Sequence, residues 1–196
     1  MSDFGLWFVT GLQHIADLKG YDHMLYLLAL CGIYEFRDAK RLLVLITAFT
    51  VGHSITLMLS TLDAIRVNTA WIEFLIPFTI VITALSNITK SGNPSLTSFR
   101  LRYAGALFFG LIHGMGFSFL LKSMLGSEEQ ILMPLFAFNL GIETGQILIV
   151  TAVLLFSLLL TSIFSIARET WNFFISSAVF GIAFIMTAER FAMLFN

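Results

Sequence analysis

Apolar runs long enough to cross a bilayer follow one another along this chain with few polar breaks, and that pattern rules out most soluble folds. A hydrocarbon core about 30 Å thick needs roughly 20 residues of helix, so a chain of this length has room for about six crossings. Only 12% of its 196 residues are charged, 58% are apolar, and the mean hydropathy is +0.90. The expected fold is therefore all-α, a polytopic membrane bundle forming a single transmembrane domain over residues 1–196.

The runs fall at residues 22–36, 42–62, 71–88, 101–124, 131–164 and 171–191, separated by polar or glycine-containing stretches. A shorter apolar segment, residues 4–16, is only about 20 Å long as a helix and would not cross alone. It is expected to be interfacial or re-entrant, with Lys19-Gly20 as the break after it. The run at 131–164 exceeds what a bilayer requires and is expected to tilt, kink or extend into solvent. The start, Met1-Ser2-Asp3-Phe4, lacks the basic region and cleavage site of a secretory signal, so the first apolar segment is expected to stay in the mature protein. Cys31 has no partner for an internal disulfide and is expected to be a small packing residue.

The basic residues alternate between loops. Arg37, Lys40, Arg41, Lys90, Arg100, Arg102 and Arg168 fall on one side, whereas Lys19, Arg66, Lys122 and Arg190 fall on the other. The first group is expected to face the cytoplasm, which puts the chain in the inner (cytoplasmic) membrane with both termini extracytoplasmic. A net charge of -1 offers no basic patch for nucleic acid.

Every histidine lies in or beside one of these apolar segments: His14, His23, His53 and His113. Imidazoles and carboxylates are costly at membrane depth, and their presence there points to function. On the expected topology His14, Asp17, Asp22 and His23 flank the outer mouth, while His53, His113 and Glu143 lie between the midplane and the outer half. These seven residues are read as one metal site. A carboxylate beside an imidazole can bind a cation or orient the ring, and a mixed imidazole and carboxylate set suits zinc, nickel or iron better than magnesium or calcium. Ser54, Thr56, Asn139 and Gln146 share helix faces with the proposed ligands and are expected to support them. Asp22 has a second reading as the cap of the helix that begins at His23. Gly52, Gly110, Gly114, Gly116, Gly141 and Gly145 surround the ligands, and small residues let transmembrane helices approach closely. A weak echo, Phe49-x-x-x-His53 against Phe109-x-x-x-His113, suggests an internal repeat. Trp7, Trp71 and Trp171 are expected at interfaces, Glu189 and Arg190 are expected to pair with each other or with the site, and Asp63, Lys122, Glu128 and Glu129 are expected to be solvated loop charges.

Four segments, Gly11-Leu12-Gln13-His14-Ile15 with Gly20-Tyr21-Asp22-His23, Phe49-Thr50-Val51-Gly52-His53-Ser54-Ile55-Thr56-Leu57, Gly110-Leu111-Ile112-His113-Gly114-Met115-Gly116-Phe117, and Phe138-Asn139-Leu140-Gly141-Ile142-Glu143-Thr144-Gly145-Gln146, resemble the HupE/UreJ family of small membrane proteins. The resemblance implies about six membrane helices and an association with nickel, as a permease. It leaves two functional expectations. One is a nickel or cobalt-type transporter in which the outer groups capture the ion and His53, His113 and Glu143 hold it at depth. The other is an intramembrane zinc hydrolase with an outer-leaflet-facing site, three histidines on the metal and a carboxylate activating water. The partners expected are membrane lipid, the metal ion, and either another copy of the chain or an accessory metallochaperone.

Overall fold

A computed structural model describes residues 3–18, 20–89, 96–125 and 131–195; the sequence-based expectations for Lys19, Lys90, Glu128 and Glu129 lie outside them. The described residues are helical with no strand, as expected for a membrane bundle. Seven α-helices run in chain order, α1 Asp3–Ile15, α2 Asp22–Cys31, α3 Ala39–Thr61, α4 Thr69–Thr89, α5 Leu96–Leu125, α6 Leu132–Ile163 and α7 Arg168–Met193. A short 3-10 turn, Phe36–Asp38, precedes α3. Helices α3, α4, α6 and α7 are each long and apolar enough to cross a membrane, and α5, at 30 residues, has the length.

The second segment departs from expectation: the run at 22–36 yields only the ten-residue α2, about 15 Å long and too short to cross. Segment α1 packs into the bundle, with Trp7, Gly11 and Ile15 buried. It lies parallel to the first half of α6, where Gly11 meets Phe138 and Gly145 meets Ile15 and Leu12. Helix α2 continues toward the other end, where Asn87 at the close of α4 donates to the Ala29 carbonyl at 2.6 Å and Arg168 at the start of α7 donates to that of Ile33. Thus α1 and α2 together cover the height of one span, broken by an exposed connection at residues 16–18 and 20–21. Among the described residues four helices qualify as spans by length and composition; counting α5 and the α1–α2 pair with them would give the six expected.

Three helix pairs carry the packing: α3 with α5, α1 with α6, and α4 with α7. The first two share one device. A Cβ on Gly52 would lie 2.3 Å from the Leu107 carbonyl oxygen, and one on Gly110 would lie 2.1 Å from that of Phe49. In the other pair a Cβ on Gly11 would lie 2.0 Å from the Phe138 oxygen, and one on Gly141 would lie 2.1 Å from that of Phe8. Each pair is parallel, and each glycine sits three residues after the residue whose carbonyl meets the partner's glycine. With no hydrophobic force between helices in lipid, such close backbone contact supplies the association energy. The reciprocal glycines recur in both pairs. Thr56 adds a hydrogen bond to the Leu111 carbonyl at 2.7 Å.

Polar networks close both ends. Arg168 bonds Glu35 at 2.8 Å, Glu35 and Asp38 form a reciprocal capping box, and Arg37 pairs with Glu35 at 2.7 Å. Buried Asn87 receives Arg102 at 2.9 Å, while its carbonyl accepts from Asn172, so one side chain and its backbone tie α2, α4, α5 and α7 together. At the opposite end Arg190 pairs with Glu73 at 2.9 Å rather than with Glu189 or the histidines. Lys122, in the last turn of α5, bonds Asp63, whose left-handed φ of 56° is one that aspartate tolerates. That ammonium holds the exposed Asp63 carboxyl below its usual range. Trp7 and Trp171 are buried and Trp71 is 49% exposed; Cys31 is buried and free.

The glycine contacts make a paired prediction. Gly110→Ala drives a methyl into backbone and is expected to cost about 1–3 kcal/mol. Gly105→Ala, where a Cβ meets nothing within 4 Å, is expected to be neutral or stabilising by up to about 1 kcal/mol from helix propensity. Thermal unfolding of both variants in one detergent checks the contrast; equal melting temperatures would contradict it.

Candidate metal centre

The site lies where α1 stops and α2 begins. Each half-helix presents a histidine at its broken end, His14 one residue from the end of α1 and His23 in the first turn of α2, with ring centroids 4.8 Å apart. His53 enters from α3 at 5.9 Å from His14 and 6.0 Å from His23. His113 enters from α5 at 5.1 Å from His23. The α3–α5 glycine contact brings the last two rings to the break: Gly52 adjoins His53 in sequence, and Gly114, next to His113, packs on the His53 carbonyl.

One nitrogen each from His14, His23 and His53 falls within a set whose members all lie within 4.8 Å of one another. Bonds of about 2.0–2.1 Å to a shared transition-metal ion would require each nitrogen to move by less than about an ångström. The rings are nearly or wholly enclosed, His23 at 5%, His53 at 0% and His113 at 1% exposure. Buried polar atoms are normally hydrogen-bonded. Among the described residues His14 Nε2, His23 Nε2, His113 Nδ1 and both nitrogens of His53 lack a hydrogen bond of normal geometry, although the Asn139 side chain reaches the His53 ring. A cluster of unsatisfied imidazole nitrogens facing one another is the donor set a borderline-soft cation would complete.

The partners that do exist fix which nitrogens are free. Asp22 Oδ1 accepts from His23 Nδ1 at 3.0 Å and from the His23 backbone N–H at 2.8 Å. The carboxylate thereby orients the ring and leaves Nε2 toward the cluster, as a carboxylate behind a ligating histidine does. Thr79 of α4 donates its one proton to the Ile76 carbonyl at 2.7 Å and lies 3.3 Å from His113 Nε2. Its hydroxyl must then accept from that nitrogen, so His113 carries its proton on Nε2 and leaves the Nδ1 lone pair bare. Thr79 was not among the residues singled out from sequence. Its only signal is a threonine two residues after Pro77 in an apolar helix.

The other expected residues are placed differently. Asp17 is exposed in the connection between α1 and α2, outside the three-histidine group. Glu143 also lies outside it: Oε1 accepts from Thr47 of α3 at 2.6 Å, and Oε2 is buried without a partner. The glycines beside Glu143 pack on α1, whereas the carboxylate faces α3. Gln146 accepts from Thr50 at 2.8 Å, with its amide nitrogen unsatisfied. Asn139 donates to the Leu135 carbonyl, with its oxygen unsatisfied and its side chain beside His53. Ser54 bonds the Thr50 carbonyl of its own helix, and Thr56 serves the α3–α5 contact and reaches the backbone carbonyl of His53 rather than a histidine ring.

Aromatic rings wall the cluster. Phe117 lies 3.9 Å from His14 between centroids and stacks on Phe138, while Phe49 contacts His23, His53 and His113. Past Thr50 and Gln146, the next turns of α3 and α6 bury Ile46, Leu42, Val150 and Leu154. A cavity of about 420 Å³ then opens at the charged end, lined by Tyr34, Arg37, Leu154, Ser157 and Arg168 among others.

Compared with known protein families, residues 1–191 match the family described as HupE / UreJ protein. No curated protein and no solved structure matches the chain.

Proposed function

The chain belongs to the HupE/UreJ family, and from that premise we propose that it is a membrane permease whose cargo is a divalent transition-metal ion of the nickel or cobalt type. The observation that carries this reading is the convergence of four imidazoles, three of them buried and His14 half-buried, with five ring nitrogens that lack a well-formed hydrogen bond among the described residues, at the break of a discontinuous span. Transporters commonly build their sites at such breaks, near the midplane. His14, His23 and His53 form the inner ligand set, His113 is a fourth donor, and Asp22 and Thr79 hold two of the rings in their ligating tautomers. Glu143, Thr47, Thr50 and Gln146 are the next polar groups toward the charged end. The turns bearing Ile46, Leu42, Val150 and Leu154 then separate the ion from the cavity at Arg37 and Arg168, so passage requires that interface to open. Permeation also requires ligand exchange and binding weak enough to release. The hydrolase reading draws less support, because Asp22 is engaged with the His23 ring and backbone and Glu143 bonds Thr47 through Oε1 outside the three-histidine group, so neither carboxylate is set beside the histidines to activate water.

Nickel accumulation in cells at matched expression tests the function. His53→Ala and His113→Ala are expected to abolish uptake above background, and undiminished uptake would refute the permease reading. In purified protein the same changes, and His14→Ala or His23→Ala, are expected to lower metal stoichiometry, whereas Lys122→Ala leaves it intact. Protonated imidazole cannot ligate, so affinity is expected to fall on acidification.

Thr79→Val removes the acceptor for His113 Nε2–H at nearly constant volume. Metal affinity is expected to fall by about 10–100-fold, with Thr79→Ser restoring most of it; calorimetric titration reads both.

The distribution of basic residues sets the orientation: the end bearing Arg37, Arg41, Arg100 and Arg168 faces the cytoplasm, and both termini are extracytoplasmic in the inner membrane. Reporter fusions at each terminus, active only on one side of that membrane, are expected to agree. A cytoplasmic signal from either would overturn the orientation.

A further inference from the structure

A second site lies away from the histidines, on the flank formed by α2, α4 and α5 near the charged end. There a groove of about 440 Å³ is lined mainly by apolar groups, among them Ile82, Leu101, Phe108 and Phe109. Leu101 and Phe108 are 67% and 57% exposed, so the groove opens on the surface that faces lipid. Its floor is Gly105, where an added Cβ would meet nothing within 4 Å. That space is left open by the sequence rather than filled by a neighbour.

One cation stands at the end of this groove. Arg102 is half-buried about 12 Å, two turns, from Gly110 toward the charged end. Its Nη1 donates to Asn87 Oδ1, a neutral amide, and its Nε is buried with no partner. The charged or titratable groups acting on it are the phenols of Tyr26 and Tyr34, and no carboxylate pairs with it among the described residues. The Tyr34 hydroxyl beside it is likewise buried and unsatisfied. Arginine within a membrane bundle is expensive unless an anion compensates it. The planar guanidinium, fixed on one edge by Asn87, presents a fork that matches a phosphate. An anion there, with an apolar channel running from it toward the bilayer centre, has the layout of a phospholipid.

We propose that this groove binds one anionic glycerophospholipid, its phosphate on Arg102 and one acyl chain over Gly105 between α4 and α5. A basic pocket between membrane helices is a recognised setting for such headgroups. By holding Arg102 on Asn87, the lipid would also brace the junction of α2 with α4, α5 and α7.

The test uses the purified full chain, stripped of lipid in detergent and mixed with palmitoyl-oleoyl phosphatidylglycerol or the matching phosphatidylcholine, with bound lipid counted by native mass spectrometry. One phosphatidylglycerol per chain is expected, preferred over phosphatidylcholine by about fivefold or more. Arg102→Gln is expected to erase that preference while Arg102→Lys and Arg66→Gln keep it. Gly105→Leu, which fills the groove without meeting backbone, is expected to remove the bound lipid of either kind while leaving the melting temperature of the stripped protein unchanged. Glycerophosphoglycerol without acyl chains is expected not to displace the lipid. No preference in the unaltered protein, a preference that survives Arg102→Gln in folded protein, or full occupancy in folded Gly105→Leu would each overturn the proposal.

Discussion

Backbone contact between paired helices is the constraint on which the rest of the bundle depends. Gly52 and Gly110 let α3 and α5 touch, and Gly11 and Gly141 do the same for α1 and α6. A single methyl at any of the four positions would lie within 2.3 Å of a carbonyl oxygen. Because both pairs are parallel and in the same reciprocal register, they are two copies of one structural device. The histidines sit at its edges: His53 follows Gly52, His113 precedes Gly114, and His14 lies one turn beyond Gly11. Loss of one contact would therefore shift a ring as well as weaken a helix pair.

A broken span is the second consequence. Residues 3–31 have the length to cross once, yet they divide at the point where His14 and His23 meet, leaving the two rings free to face His53 and His113. An unbroken helix would carry residues 14 and 23 about 13 Å apart along its axis. The break closes that gap to 4.8 Å between ring centroids. The exposed connection between α1 and α2 is what permits this, with Asp22 accepting from both the backbone and the ring of His23 as α2 begins again.

Polar residues outside the histidine cluster show how a membrane protein distributes hydrogen bonds. Thr56 and Asn87 spend their side chains on carbonyls of other helices, and Thr47 and Thr50 spend theirs on Glu143 and Gln146. Each removes an unsatisfied group from an apolar interior, and each also fixes a helix position. Those left unsatisfied concentrate at two places, the imidazole cluster with its flanking amides and carboxylate, and the guanidinium of Arg102 with Tyr34. Among the described residues, these are the groups that the proposed ion and the proposed lipid would complete.

The sequence by itself determined the all-helical membrane class, because hydropathy and length are properties of each segment alone. It also exposed the four histidines and the glycines, since few residue types are tolerated at depth without a reason. The tertiary structure decided which of those residues meet. The run at 22–36 looked like a full span because hydropathy does not register where a helix ends, and Glu143 looked like a ligand because depth alone does not give the face on which a side chain projects. Its direction toward Thr47, the withdrawal of Asp17 into an exposed connection, and the role of Thr79 in setting the His113 tautomer all depend on rotation and crossing of helices distant in sequence. Periodicity within one helix constrains its own faces, but only packing between helices chooses the neighbour each face receives.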